Sequence, residues 1–161
     1  MGKCLFEMGD LRFDMVDFDI KGNVIPYEII ECSLETLQEI FIFNNHRKEI
    51  FEEYLSFCDT IKSIGITKFY QFIDGSFTTK KMFPKDIDVV SFVEADFFNE
   101  NIIKLLNLRE NFNRIDCFFV PVYSPDERNY FITQFGLFEW EQLFNTDREY
   151  KPKGILKIIF N

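Results

Sequence analysis

Lys68-Phe69-Tyr70-Gln71-Phe72-Ile73-Asp74-Gly75-Ser76, followed after nine residues by Asp86-Ile87-Asp88-Val89-Val90-Ser91-Phe92-Val93, carries most of the information in this chain. Aromatic and β-branched residues suit a pleated surface, so 68–73 and 86–93 read as two strands. Asp74-Gly75-Ser76 reads as a sharp break between them. Ile115 to Tyr123 has the same character and reads as a third strong strand, and Ile155 to Phe160 as a closing one.

Helical patterns lie between these strands. Ile50, Phe51, Tyr54, Leu55, Cys58, Ile61 and Ile64 recur at helical spacing from about Asn45, and Gly65 is the natural residue to end that helix. Ser33 reads as the N-cap of a shorter helix through Phe43, with Glu35 in its first turn. Phe97 to Leu108 and the stretch toward Phe144 read as further helices, and 13–25 as an extended lead-in with a turn at Gly22-Asn23. Strands alternating with helices around one sheet give an α/β (α+β) class, a mixed β-sheet flanked by helices. The 161 residues fit one domain, 1–161, with an extended and helical lead-in over about 1–43.

Composition narrows the function. The chain is 47% hydrophobic and 28% charged, which excludes a disordered or low-complexity protein. The 22 Phe beside scarce Ala read as core filling. The net charge of −9 repels polyanions, so no extended nucleic-acid groove is expected; it is compatible with a small local cationic pocket for a nucleotide. Charges interrupt every apolar stretch, which speaks against a membrane span, and Met1-Gly2-Lys3-Cys4 does not begin a signal peptide. Cysteines at 4, 32, 58 and 117 form no Cys-x-x-Cys pair, and His46 does not complete a zinc set with them, so reduced thiols in the cytoplasm are expected. His46 reads as a surface residue. No Ser-His-Asp or Cys-His arrangement, GxxxxGK[ST] loop or GxGxxG is present.

Asp86 and Asp88 stand two apart at a strand start and so point to one face. Paired carboxylates are hard oxygen ligands suited to Mg²⁺ with substrate phosphates. Asp116 opens a further strand, and if that strand is a neighbour its carboxylate joins the pair. Three such groups can hold two metal ions. Gly75 allows backbone N–H groups to approach a phosphate, and the Ser76 hydroxyl adds a donor. Lys80, Lys81 and Lys85 lie between this turn and the acids, where a triphosphate needs neutralising. Each element alone also has a plain reading: a solvated acid pair, a simple turn, a solvated loop. Their joint order is far more specific.

That order resembles the DNA polymerase beta-like nucleotidyltransferase superfamily. The chain also resembles, over about 13–160, an uncharacterised bacterial family of small nucleotidyltransferase-like proteins. The resemblance rests on Phe18-Asp19-Ile20-Lys21-Gly22-Asn23-Val24-Ile25-Pro26, Asp74 to Lys80, Pro84 to Val90, and Lys153-Gly154-Ile155-Leu156. It implies a nucleotidyltransferase-like mixed sheet, with Gly75 and Ser76 holding phosphates and Asp86, Asp88 and Asp116 holding metal. Asp74 stands where such proteins usually carry a second glycine, and no separate helical domain grips the nucleotide. A partner subunit, a dimer or the acceptor is then expected to complete the site.

The resemblance implies Mg²⁺-dependent transfer of an NMP group from an NTP, with ATP the expected donor, to an acceptor hydroxyl on protein or RNA. Small members of the superfamily often occur in toxin–antitoxin or phage-defence pairs. The alternative is a non-catalytic, antitoxin-like binding protein that retains the fold.

Overall fold

The computed structural model describes residues 16–161. Cys4 and the first residues of the expected lead-in lie outside the described part. A short antiparallel hairpin, β1 (Asp17–Phe18) with β2 (Val24–Ile25), precedes a five-stranded mixed sheet. That sheet comprises β3 (Ile29–Glu31), β4 (Phe69–Asp74), β5 (Ile87–Glu94), β6 (Ile115–Val122) and β7 (Ile155–Phe160), in the order β3-β7-β4-β5-β6. β3 runs parallel to β7 and β5 parallel to β6, while β4 is antiparallel to both its neighbours. The helices are α1 (Leu34–Phe41), α2 (Asn45–Ser63), α3 (Ala95–Asn111) and α4 (Tyr130–Phe144). The protein is therefore α+β, a mixed sheet flanked by helices. No helix among the described residues is long and apolar enough to cross a membrane.

Local chemistry explains the helix starts. Ser33 Oγ accepts from the Thr36 amide at 3.1 Å, and Asn44 Oδ1 from the Arg47 amide at 2.8 Å; each side chain satisfies a free N–H of a first turn. α1 stops at Phe41, two residues short of the expected end, because Asn44 already caps the next helix. Gly65 ends α2 at φ +103°, its amide bonded to Lys62 O.

The period of two along each strand divides the core into two layers. Ile73, Ile87, Val89, Ile115, Cys117, Leu156 and Ile158 face α1, α2 and α3. Phe72, Val90, Phe92, Val120 and Ile155 face the other way, against Trp140 and Phe144 of α4. β5 is buried on both faces, which is why it reads as a continuous apolar run. Inside the first layer, Tyr54 Oη donates to Gln71 Oε1 at 2.7 Å and Gln71 Nε2 donates to Ser91 Oγ at 2.9 Å, satisfying three buried polar groups. Cys32, Cys58 and Cys117 are buried free thiols.

Two strand boundaries and the turn between them differ from expectation. β4 continues through Asp74, so this residue belongs to the sheet and not to the break after it. β5 begins at Ile87, with Asp86 immediately before it. Gly75-Ser76 opens only a single 3-10 turn, Ser76–Thr78, and no longer helix.

Candidate functional site

Register brings the acids together. Asp74 on β4 pairs with Asp88 on β5, and Asp88 pairs with Asp116 on β6. Cross-strand partners share a face, and neighbouring strands lie about 4.8 Å apart. A row Asp74–Asp88–Asp116 therefore crosses three strands on the α4 side, in phase with Phe72, Val90 and Phe118. Asp86 stands one alternation before Asp88, beside the middle of the row. The Asp88 carboxyl is raised to about 6, first by partial burial and then by repulsion from Asp86 and Asp116; Lys153 and Arg148 hold it down.

Gly75 is shaped by this row. It sits at φ +79° and ψ −164°, where an L side chain is strained. A Cβ there would overlap Asp88 Oδ2. The Gly-Ser turn thus packs its backbone directly on the central carboxylate.

Asp74 stands where the resembled superfamily usually carries a glycine. It is 5% exposed, and its only charged partner among the described residues is Lys153, 3% exposed, with Nζ 2.8 Å from Oδ1. The approach is poorly aligned for a hydrogen bond: Oδ1 has no well-directed donor. The Lys153 ammonium spends its aimed bond on Gly75 O at 2.9 Å. Burial outweighs the ammonium's attraction and pushes the Asp74 carboxyl up to about 7. Lys153 thus ties the strand entering the turn to the segment before β7. Two phases in the sequence point to these residues: Asp74 follows Phe72 by two, and Lys153 precedes Ile155 by two.

All the segments that carry the resemblance meet here. Lys80 N donates to Gly22 O at 3.1 Å, and Gly154 N donates to Val24 O at 2.7 Å. Asn23 Nδ2 donates to Asp147 Oδ2 at 2.9 Å, and Asn23 bridges to Thr79. The β1–β2 hairpin is thus a strap across Thr79–Lys80, just after the Gly-Ser turn, and the 147–154 segment. A Cβ on Gly154 would overlap Pro26 O, so the strap also needs glycine there.

The expected site residues fall in different surroundings. Among the described residues no three His, Cys, Asp or Glu side chains converge closely enough to hold a metal ion. Asp86, Asp88 and Asp116 share one end of the sheet, but their side chains are not gathered around one point. Asp116 is turned to Arg109, whose Nη2 lies 3.6 Å from Oδ1, because α3 returns along β6 and brings this cation alongside. The oxygen donors suit a hard divalent cation, and their backbone placement on adjacent strands fits one; holding it requires Asp116 to leave Arg109. Lys80 places its ammonium 4.4 Å from the Phe18 ring centroid, on the strap, and the cations acting most strongly on Asp88 are Lys153 and Arg148. Lys85 and Lys81 are exposed. His46 is no free surface residue: it is half-buried, with Nε2 2.6 Å from Pro84 O and its ring edge-on to Phe83.

The raised acids set a pH dependence. A carboxyl whose folded pKa lies above its unfolded value holds its proton more tightly in the native state. With Asp74 at about 7 and Asp88 at about 6, against an ordinary 3.8, stability is gained as pH falls through 7 toward 4 and lost as it rises. Urea midpoints without divalent cation are expected to be higher at pH 5.5 than at pH 8, and Asp74→Asn is expected to flatten this slope. An equal slope in the variant would contradict the assignment to Asp74.

The fold and this end of the sheet define an α+β protein with an acidic row beside a glycine turn. A family model, that of the family of unknown function DUF6932, matches residues 16–159, and the chain belongs to that family. No curated protein and no solved structure matches the chain.

Proposed function

We propose that the protein is a metal-dependent nucleotidyltransferase of the DNA polymerase beta-like superfamily. The observation that carries this reading is the register of Asp88 with Asp116 on adjacent parallel strands, with Asp86 two residues before Asp88 and the Gly75 backbone packed on Asp88. In this reading Asp86, Asp88 and Asp116 hold Mg²⁺, which supplies charge neutralisation on the triphosphate. Gly75 and Ser76 present the turn to the phosphates. Lys85 lies beside Asp86 in sequence and is exposed to meet a polyanion. An acceptor hydroxyl oxygen on protein or RNA bonds to the α-phosphorus of the NTP, ATP in the first instance. The bond to the bridging oxygen breaks, pyrophosphate leaves, and a carboxylate of the row takes the hydroxyl proton.

The second reading is a non-catalytic, antitoxin-like binding protein of a toxin–antitoxin or phage-defence pair, acting in the cytoplasm. The Asp116–Arg109 pair favours it, since a cation already occupies the third carboxylate.

The test is incubation with each α-labelled NTP, Mg²⁺ and host lysate, beside the Asp88→Asn protein. Label on one macromolecule, absent with the variant, supports transfer. No label, or label that ignores the substitution, defeats it.

A further inference from the structure

Arg47 lies in the first turn of α2 and has no solvent exposure. Its guanidinium donates to three backbone carbonyls, those of Phe41, Phe77 and Lys81. It also lies over the rings of Phe43 and Phe77, at 4.4 and 4.7 Å from their centroids. Among the described residues it makes no ion pair. A buried charge without a counter-ion is a poor way to gain stability, since an apolar side chain of similar volume usually does as well or better. Burial pushes its pKa down to about 10, which leaves it charged at neutral pH.

The acceptors explain the choice. Phe77 and Lys81 belong to the loop that runs from Gly75 to Asp86. Asn44 Nδ2 donates to Met82 O at 2.8 Å and His46 Nε2 meets Pro84 O at 2.6 Å. Four carbonyls of this loop are thus held from the start of one helix, in a stretch whose regular structure is a single 3-10 turn. A planar fork with five donors can hold carbonyls in divergent directions; an ammonium at the same place is a point donor.

We propose that Arg47 is a positioning residue for the phosphate turn: it fixes the Phe77–Lys81 backbone and so the orientation of Gly75-Ser76 toward Asp86 and Asp88. The functional half of this proposal rests on the nucleotide reading above; the mechanical half does not.

The test compares full-length wild type, Arg47→Lys and Arg47→Met with Leu105→Ala, a buried core control on α3. Amide hydrogen exchange is read over residues 76–83, and Mg·ATP affinity at a temperature where each protein is folded. For Arg47→Lys we expect exchange over 76–83 at least about tenfold faster with β4 and β5 still protected, and affinity down at least about tenfold. Leu105→Ala should bind as wild type does despite its lower melting temperature. Arg47→Met, which replaces the charge by an apolar stem, should fold and show the same loosened loop. Unchanged exchange over 76–83 in both Arg47 variants overturns the proposal, as does a loosened loop with wild-type affinity. If the wild type binds no Mg·ATP, the nucleotide reading fails and positioning for it fails too, while the exchange measurement still decides whether Arg47 clamps the loop.

Discussion

Asp88→Asn is expected to abolish nucleotide transfer and, in the same protein, to raise the melting temperature in metal-free buffer. The two effects share one cause. Asp88 is the centre of the acid row, faces Asp86 and Asp116, and carries a carboxyl raised to about 6 by burial and repulsion. At pH 7.5 its ionisation works against folding by on the order of 1–3 kcal/mol, after allowance for partial solvent screening. Asparagine keeps the shape and removes the charge. For a chain of this length the gain corresponds to roughly 3–8 °C. Mg²⁺ should stabilise the wild type and not the variant, because a ligand that binds only the native state adds to its stability. Asp86→Asn should lose transfer with a smaller thermal gain. Calorimetry with and without Mg²⁺, alongside the labelling assay, checks both halves. Unaltered transfer by a folded Asp88→Asn protein would remove the enzyme reading and promote the binding protein.

Gly75→Val is the second large effect. The residue adopts φ +79°, and a β-branched side chain in that region is strained by about 1–3 kcal/mol before any contact is considered. Its Cβ would also overlap Asp88 Oδ2 and come within 2.8 Å of Cγ, so the whole carboxylate must swing away from the turn. We expect a loss of about 3 kcal/mol or more in urea unfolding, and loss of triphosphate binding in the fraction that stays folded. Ser76→Ala should be mild by comparison, since the hydroxyl is one donor among several. Equal, near wild-type nucleotide binding by both variants would show that the turn does not face the phosphates.

The parts of this site differ in how far they could be read along the chain. β5 and β6 were legible because each is a local run of β-branched and aromatic residues, and the place of Asp88 and Asp116 near their starts followed from it. β3 was not: Ile29–Glu31 is three residues long and is a strand because Ile155–Lys157 of β7, far away in the chain, lies beside it. Asp74 looked like a loop acid because Gly75 follows it, yet its phase with Phe72 extends β4 by one residue and buries it. Lys153 sits in a polar stretch: its phase with Ile155 marks the buried side, but its ion partner, Asp74, is brought to it only by the sheet. Arg47 is a different case. It lies three residues before Ile50 and four before Phe51, on the buried stripe of α2, and a charge in phase with such a stripe signals a specific partner. The Asp116–Arg109 pair came from the return of α3 along β6, which only the packing displays. Lys80 was placed correctly in the chain and wrongly in space, since the strap formed by β1 and β2 offers it the Phe18 ring.

The central claim is that a divalent cation and a nucleoside triphosphate meet at Asp86, Asp88 and Asp116 beside Gly75. Amide spectra of the isotope-labelled protein, recorded with a non-hydrolysable ATP analogue while Mn²⁺ replaces Mg²⁺ in trace amounts, test it most directly. The account predicts that Gly75, Ser76, Asp86, Ile87, Asp88 and Asp116 broaden first, and that Asp88→Asn abolishes the effect. Broadening centred elsewhere, or none at millimolar nucleotide, would contradict it.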